Sequence, residues 1–418
     1  MMIPLLLLLA AILGAPLFIV IAASALNGFH TGGIDISVVV LEINRIVDMP
    51  VLVTIPLFTF AGYLMGESGT PKRLLELSRA ALGWMPGGLT VVTMSVCAAF
   101  TALTGASGVT IIALGSLLYP ALLAEKYPEK FSLGAITTTG SLGLLFPPAI
   151  PLILFGVVAE ASIDKLFLAG IAPGLLMVVL LSAYGMYVAQ RAKIPLRKFE
   201  WAALGRAMRS AAWELPLPFL VLGGIYSGYF AISEAAAVTA FYVLIVEVFI
   251  YREVPLRKLP SVMARSMTLV GGILVILGAS LASTNYLIDQ QVPMKLFEIV
   301  RQHISSKYTF LMLLNVFLLI LGCLLDIFSA IVLIVPLLLP IAANYGINPI
   351  HLGIIFLANM QIGYNTPPVG MNLFIASYRF NEPVVKLYRA SVPFILILLL
   401  VVLLITYVPA ISLTLAGM

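Results

Sequence analysis

Asp326 is the one charged residue in four long apolar stretches of this 418-residue chain, 90–123, 133–157, 309–341 and 350–377. An ionisable side chain buried among apolar residues at membrane depth is expensive, so it is expected to serve as a cation ligand or a proton carrier. The polar atoms in the same stretches are oxygens: the side chains of Thr104, Ser107, Ser329, Asn365 and Thr366, and the carbonyls near Phe146 and Thr366 that the following prolines free. Hard oxygen donors suit a hard cation, and without clustered carboxylates a tight calcium cage is not expected. Sodium fits this donor set. Thr104 and Ser107 taken singly would also suit ordinary helix packing, where small hydroxyl residues are common. None of the four stretches holds Lys or Arg. An anionic substrate would therefore rest on helix N-termini, on amides such as Asn365 and Asn372, and on the bound cations, arriving after or with them.

The elements that must carry these residues are unusual. Leu133–Val157 is long enough to cross a bilayer but breaks at Gly143 and at Pro147-Pro148, and Ile350–Ser377 is a near-copy. Prolines in a membrane helix free carbonyls that only protein or ligand can then satisfy. Two broken helices in matching halves point to a transporter's binding site. At a constant offset of 220 residues Pro120 meets Pro340, Pro147 meets Pro367, Pro148 meets Pro368, Pro173 meets Pro393 and Gly143 meets Gly363. At a proline background of ~5% chance would supply about one such proline match. The runs 90–123 and 309–341 are each too long for one span and are interrupted at 104–108 and 326–329. With arms of about 24 Å against a ~30 Å hydrocarbon core, they read as re-entrant helical hairpins. Two tightly linked full spans are the competing reading. The expected fold is an all-α polytopic membrane protein of two inverted repeats, each with a hairpin and a broken helix. The first repeat covers 1–190, a connecting arm with an extra helix 191–232, and the second repeat 233–418.

Composition sets the same class. Hydrophobic residues make up 61% and charged residues 10% of the chain, against about 25% charged in soluble domains. Further spans are expected near 2–25, 48–68, 165–190, 213–231, 233–251, 267–288 and 390–414. The first is read as a retained helix, since it lacks a basic leader and an obvious cleavage site. Basic residues cluster in 70–88, 191–211, 252–266 and 378–389, which the positive-inside rule puts in the cytoplasm, with the N-terminus inside and the C-terminus outside. The link 289–307, with Lys295, Arg301 and Lys307, goes against that count. The segments starting Pro195-Leu196-Arg197-Lys198 and Pro255-Leu256-Arg257-Lys258 are expected to lie in the interface as braces. Catalysis is not indicated. His30, His303 and His351 show no ligand spacing, there is no phosphate-binding loop, and Cys97 and Cys323 both lie in apolar runs. Glu160, Glu214, Glu234 and Glu247 sit near membrane boundaries, where pairing or snorkelling is expected.

Taken in order, Thr104–Gly108 (TGASG), Gly140–Pro151 (GSLGLLFPPAIP), Phe167–Gly174 (FLAGIAPG), Gly223–Val238 and Gly363–Phe374 (GYNTPPVGMNLF) resemble the large membrane subunit of the tripartite ATP-independent periplasmic (TRAP) transporters over essentially the whole chain. The resemblance implies a secondary transporter of the bacterial inner membrane. It would import an organic acid with two or more sodium ions, from a periplasmic substrate-binding protein and beside a small four-helix membrane subunit carried on a separate chain. It also implies an elevator-type transport domain held in a scaffold. One sodium site would map to Gly105, Ala106, Ser107 and Gly108 with Gly140, Phe146 and Pro147. The other would map to Asp326 and Ser329 with Gly363, Asn365 and Thr366. The expected substrate contacts are Thr104, Ser107, Thr139, Pro148, Asn365, Pro368, Gly370 and Asn372. Ala149 stands where the family usually has Ser, and Ala231 where it usually has Thr. A stand-alone sodium- or proton-coupled carrier of the same inverted-repeat class is the alternative, and a static or channel-like subunit is disfavoured by the matched breaks.

Overall fold

The computed structural model describes residues 6–7, 9–10, 13, 15–46, 48–195, 198–304 and 306–418. Helices form over the apolar runs and break where Gly and Pro cluster, while single prolines such as Pro173, Pro336 and Pro393 are carried inside helices. In the first half, α1 (Leu17–Thr31) starts after Pro16 and leads to the short amphipathic α2 (Ser37–Arg45). A 3-10 turn at Pro50–Val53 runs into α3 (Thr54–Glu67), and α4 (Thr70–Leu82) follows. α5 (Gly88–Thr104) climbs to a turn at Gly105-Ala106, and α6 (Ser107–Ala113) and α7 (Gly115–Ala124), bent by 49°, return. α8 (Glu129–Thr139) passes through a 3-10 turn at Leu142–Leu145 and the cis Pro147-Pro148 bond into α9 (Ile150–Val158). α10 (Ile163–Arg191) closes this half as one 29-residue helix.

The second half opens with α11 (Trp201–Ser210), α12 (Pro216–Tyr226) and α13 (Ile232–Leu244), the last ending in a π turn at Ile245–Ile250. α14 (Leu259–Asp289) and α15 (Val292–His303) lead to a second hairpin, α16 (Lys307–Leu324) and α17 (Ile327–Asn344). α18 (Pro349–Gly363), a non-helical stretch with the cis Pro367-Pro368 bond, and α19 (Met371–Phe380) form the second broken helix. α20 (Val384–Tyr407) and α21 (Ala410–Leu413) end the chain. Large apolar side chains such as Leu175, Phe219, Phe241, Ile320 and Leu396 are exposed, as lipid-facing residues must be.

Side-chain contacts sort the links onto two ends. At one end Arg73 of α4 sits buried between Glu214 and Glu253 and reaches Glu247 at 3.2 Å, with the Tyr251 ring 3.8 Å from its guanidinium carbon. Lys258 and Arg265 pair with Glu67 at 3.2 and 2.8 Å, and Lys386 pairs with Glu129 at 2.7 Å. At the other end Lys307 donates to the Gly346 carbonyl, Tyr345 to that of Ile304, and Tyr407 to that of Tyr308. The basic clusters read from the sequence thus gather at one end. Burial alone would lower the Arg73 pKa, but the Glu253 and Glu214 carboxylates outweigh it and hold the guanidinium above its ordinary range.

The two hairpins enter from opposite ends and stop partway. Thr104, at the first tip, packs on Gly62 in the middle of α3, so closely that a Cβ on Gly62 would lie 2.5 Å from the Thr104 Cα. The second tip touches the break of its own repeat: the Tyr364 hydroxyl accepts from the Ile327 N–H at 2.6 Å, and the Gly370 N–H donates to the Cys323 carbonyl at 3.2 Å. By length and composition α16 and α17 are each long enough to cross a membrane, so the hairpin reading rests on these contacts between tips and breaks. Corresponding glycines also pack in corresponding ways. A Cβ on Gly143 would lie 2.4 Å from the Ala102 nitrogen, and one on Gly363 would lie 2.5 Å from the Gly322 Cα. Each broken helix therefore presses its glycine against the first arm of its hairpin.

Several expected boundaries move. Of the first span, expected over 2–25, the described residues hold a helix that starts at Leu17 after Pro16 and runs on to Thr31, and 6–7 and 9–10 are also helical. The rest of that expectation falls largely outside the described residues, as do Leu196 and Arg197 of the first basic brace. Pro255–Lys258 is not a separate brace: after one 3-10 turn it merges into the 31-residue α14, because Pro260 falls in the first turn, where proline is tolerated, and Glu67 meets the charges of Lys258 and Arg265. The span expected over 213–231 is helical only from Pro216 to Tyr226, with Gly228 at a φ of +77° closing it. The link 289–307 contains the amphipathic α15, which buries Phe297 against the Tyr345 ring.

Candidate functional site

At the first tip, Gly105 turns the chain at a φ of +66°. The Thr101 hydroxyl then ties three elements together: it donates to the Gly140 carbonyl at 2.9 Å and lies 2.7 Å from the Thr110 hydroxyl. Gly140 abuts the second arm of the hairpin, where a Cβ would come within 3.3 Å of the Ser107 carbonyl. The Ser107 side chain is nearly buried, and Gly108 faces Ile375 of the other repeat. Thr104 is fully buried and its hydroxyl has no hydrogen-bond partner. Buried polar atoms are seldom left so, and the hydroxyls of Thr138, Ser182 and Ser391 share that state among the described residues.

Asp326 organises the second tip. One carboxylate oxygen accepts from the N–H groups of Phe328 and Ser329, each at 3.0 Å, and the other accepts from the Ser329 hydroxyl. Asp326 is thus the N-cap of α17, where negative charge meets the free N–H groups of a helix start. It also lines a cavity of about 330 Å³ together with Leu325, Val369, Met371 and Phe374. The carboxylate therefore lies between its own helix and the second break.

A polar bridge joins the breaks of the two repeats. The Asn365 amide donates to the Gln361 carbonyl at 3.1 Å and to the Ser141 hydroxyl at 3.4 Å, and Ser141 donates to the same Gln361 carbonyl at 3.3 Å. Asn372 donates to the Asn365 side-chain oxygen at 3.4 Å, and its own side-chain oxygen is buried without a partner. Asn365, Asn372 and Ser141 are all fully buried.

Other expected site residues are engaged differently. The Phe146 carbonyl is not free, because the Ala149 N–H takes it up at 3.0 Å. Phe146, Pro147 and Pro148 line an apolar cavity of about 280 Å³ against Ala98, Ala102 and Val221. Thr139 turns its hydroxyl onto the Ala135 carbonyl of its own helix, and Thr366 onto the Ile362 carbonyl in the last turn of α18. The Pro368 carbonyl accepts from Tyr388, and Gly370 holds a φ of +56° where a Cβ would crowd the Thr366 carbonyl at 2.8 Å. Ala149 sits at the N-cap of α9 and brings no side-chain oxygen to it, so the family's usual serine would be a helix cap here. Sequence reasoning passed over Thr101, Thr110, Ser141 and Tyr364. Ser141 could have been found, since it lies 220 residues before Gln361, whose carbonyl it meets. Among the described residues no group of three or more His, Cys, Asp or Glu side chains could hold a metal ion.

Comparison with known proteins places this geometry. A family model described as "Tripartite ATP-independent periplasmic transporter, DctM component" matches residues 1–411. The chain is similar to the C4-dicarboxylate TRAP transporter large permease protein DctM of Pseudomonas aeruginosa, 37% identical over 87% of this chain and 86% of that one. It is also similar to the isethionate TRAP transporter permease protein DctMQ of Oleidesulfovibrio alaskensis, 35% identical over 97% of this chain but only 64% of that longer one. Among solved structures the Alcanivorax borkumensis YdaH transporter shares the fold, with a TM-score of 0.60 at 15% identity over 88% of this chain and 86% of that one.

Proposed function

The chain belongs to the DctM component family of the tripartite ATP-independent periplasmic transporters, and from that premise we propose that it imports a small organic anion together with sodium ions. Its substrate is delivered by a periplasmic binding protein, and a small membrane subunit completes the scaffold. Asp326 and the oxygens around the second break, Ser329, Asn365 and Thr366, take one sodium ion. The carbonyls and hydroxyls of the first tip, 104–108 with Gly140, take another. The substrate lies at the Asn365–Asn372 bridge, with the cations supplying the positive charge that the surrounding helices lack.

The observation that carries this reading is the bridge itself. Ser141 and Asn365 bring the breaks of two oppositely entering repeats to one place, and the orphaned oxygens of Thr104 and Asn372 are acceptors that a cation would satisfy. Cation coupling needs hard oxygens, and the site offers those. The names of the relatives, one a C4-dicarboxylate transporter and one an isethionate transporter, support a carboxylate or sulfonate as cargo. The clustering of basic residues at one end supports placing that end in the cytoplasm of a bacterium and the C-terminus in the periplasm. Transport would move the hairpins and broken helices as a body against α3, α12, α13 and α14.

Reconstitution into vesicles with the small subunit tests the proposal. Uptake that needs both an inward sodium gradient and the loaded binding protein is the expected result. Uptake by the membrane chains without a binding protein would instead indicate a stand-alone carrier.

A further inference from the structure

At the end where the basic links gather, α4 and α11 border an open groove of about 600 Å³ that the transport site does not use. Arg79, Lys198 and Arg206 line it, and so do Glu76 and Glu200. Among the described residues Lys198, Arg206, Glu76 and Glu200 form no ion pair with one another or with any neighbour. Arg79 reaches Glu125 at 3.7 Å, and its Nε is buried without a hydrogen-bond partner. Unpaired charges of both signs around one open volume make a receptor for a ligand that carries both signs.

The depth of the groove is marked by tryptophan. The chain has three, and Trp84, Trp201 and Trp213 all lie at this end and are well exposed. Trp84 lines the groove and meets Phe199 edge-on at 6.4 Å, and Phe199 meets Trp201 in the same way at 4.9 Å. Tryptophan concentrates at the lipid headgroup level of a bilayer. The amphipathic α4 and α11 that form the walls fit that position.

We propose that this groove binds a zwitterionic phospholipid headgroup of the phosphatidylethanolamine type. The phosphate lies on Lys198, Arg206 and Arg79, and the primary ammonium on Glu76 and Glu200. A purely anionic headgroup would leave both carboxylates facing negative charge. A choline headgroup would present methyl groups where the carboxylates need N–H donors. The bound lipid braces α11 against α4, and Ser210, at the groove's edge, passes that brace on, since its carbonyl accepts from Tyr251 of the buried Arg73 cluster at 2.7 Å.

Fluorescence quenching tests this. The full chain with Trp201→Phe and Trp213→Phe keeps Trp84 as the sole reporter and is reconstituted in phosphatidylcholine vesicles containing brominated-chain phosphatidylethanolamine, phosphatidylglycerol or phosphatidylcholine. The expected result is a relative binding constant for phosphatidylethanolamine about tenfold above that for phosphatidylcholine, a change that corresponds to 1.4 kcal/mol. Lys198→Gln with Arg206→Gln should remove a contact to the phosphate that all three lipids share and leave the lead of phosphatidylethanolamine over phosphatidylcholine in place. Glu76→Gln with Glu200→Gln should erase the lead of phosphatidylethanolamine over both phosphatidylcholine and phosphatidylglycerol, at unchanged helicity by circular dichroism. Equal quenching by all three lipids, or a lead for phosphatidylglycerol in the unsubstituted groove, would overturn the proposal. So would loss of all quenching once the small subunit is bound, which would make the groove a protein contact.

Discussion

Asp326 was visible from the sequence because nothing else charged shares its surroundings, but its second task was not. Its carboxylate caps α17 through Phe328 and Ser329 as well as facing the break cavity, and only the fold shows both. Arg73 is the opposite case. Its partners Glu214, Glu247 and Glu253 lie 141 to 180 residues away in sequence, so no local pattern announces them, although pairing of the boundary glutamates was expected. Arg73→Met would leave three carboxylates facing one another in a largely buried site. It is expected to destabilise the protein by about 3–5 kcal/mol, the usual cost of breaking a buried pair, read as a faster rate of thermal inactivation in detergent. The same cluster predicts a pH effect. Burial opposes ionisation of Glu253, but the Arg73 guanidinium and the Gly69 N–H outweigh it and hold the carboxyl below its ordinary range. A folded pKa below the unfolded one gives stability that is present above about pH 4.3 and is lost as pH falls through the folded value. Glu253→Gln should flatten that part of the acid-inactivation profile, and the effect should be small because Glu253 is about a third exposed.

At the scale of elements, the breaks were the most readable feature, because glycine and paired prolines coincide there, whereas the single prolines Pro120, Pro173, Pro340 and Pro393 are carried inside helices. Run length and the interruptions at 104–108 and 326–329 pointed to the hairpins, and the matched prolines with the Gly143–Gly363 pair to their equivalence. Element lengths were less readable: α14 runs through the expected brace because hydropathy falls at Arg265 while the helix does not stop. The polar bridge was only half visible, since Asn365 and Asn372 stood out in an apolar run while Ser141 needed the neighbouring helix to give it meaning. The glycine contact yields a sharp test. Gly363→Ala would put a Cβ 2.4 Å from the Gly322 backbone, which cannot yield like a side-chain tip. Transport should fall steeply, with a stability loss of about 1–3 kcal/mol. Gly271→Ala, with no atom within 4 Å of the new methyl, should leave transport unchanged and gain up to about 1 kcal/mol of helix propensity. Equal behaviour of the two variants in an uptake and thermal-shift assay would remove the packing argument.

For the whole molecule, inversion and sidedness stand or fall together. The hairpins enter from opposite ends, and the ion-paired links 67–73, 247–265 and 382–386 lie at the end opposite to 304–308 and 344–348. Cysteines placed at Arg206 and Gly346 should therefore react with a membrane-impermeant maleimide from opposite sides of right-side-out vesicles, Gly346 from the periplasm. Labelling of both from one side would contradict the arrangement. The basic residues of 289–307 go against that sidedness, and Lys295 and Arg301 lie on α15, an amphipathic surface helix. In the proposed site two matched breaks and two hairpin tips hold sodium, with Asp326 as the one charged ligand. The most direct measurement is the sodium dependence of binding-protein-driven uptake in vesicles, for the wild type and for Asp326→Asn, which keeps the helix cap. The account predicts a sigmoidal sodium curve for the wild type, and for the variant a curve shifted to much higher sodium that has lost its sigmoidal shape. An unchanged sodium curve with a displaced pH profile would contradict it and make Asp326 a proton carrier.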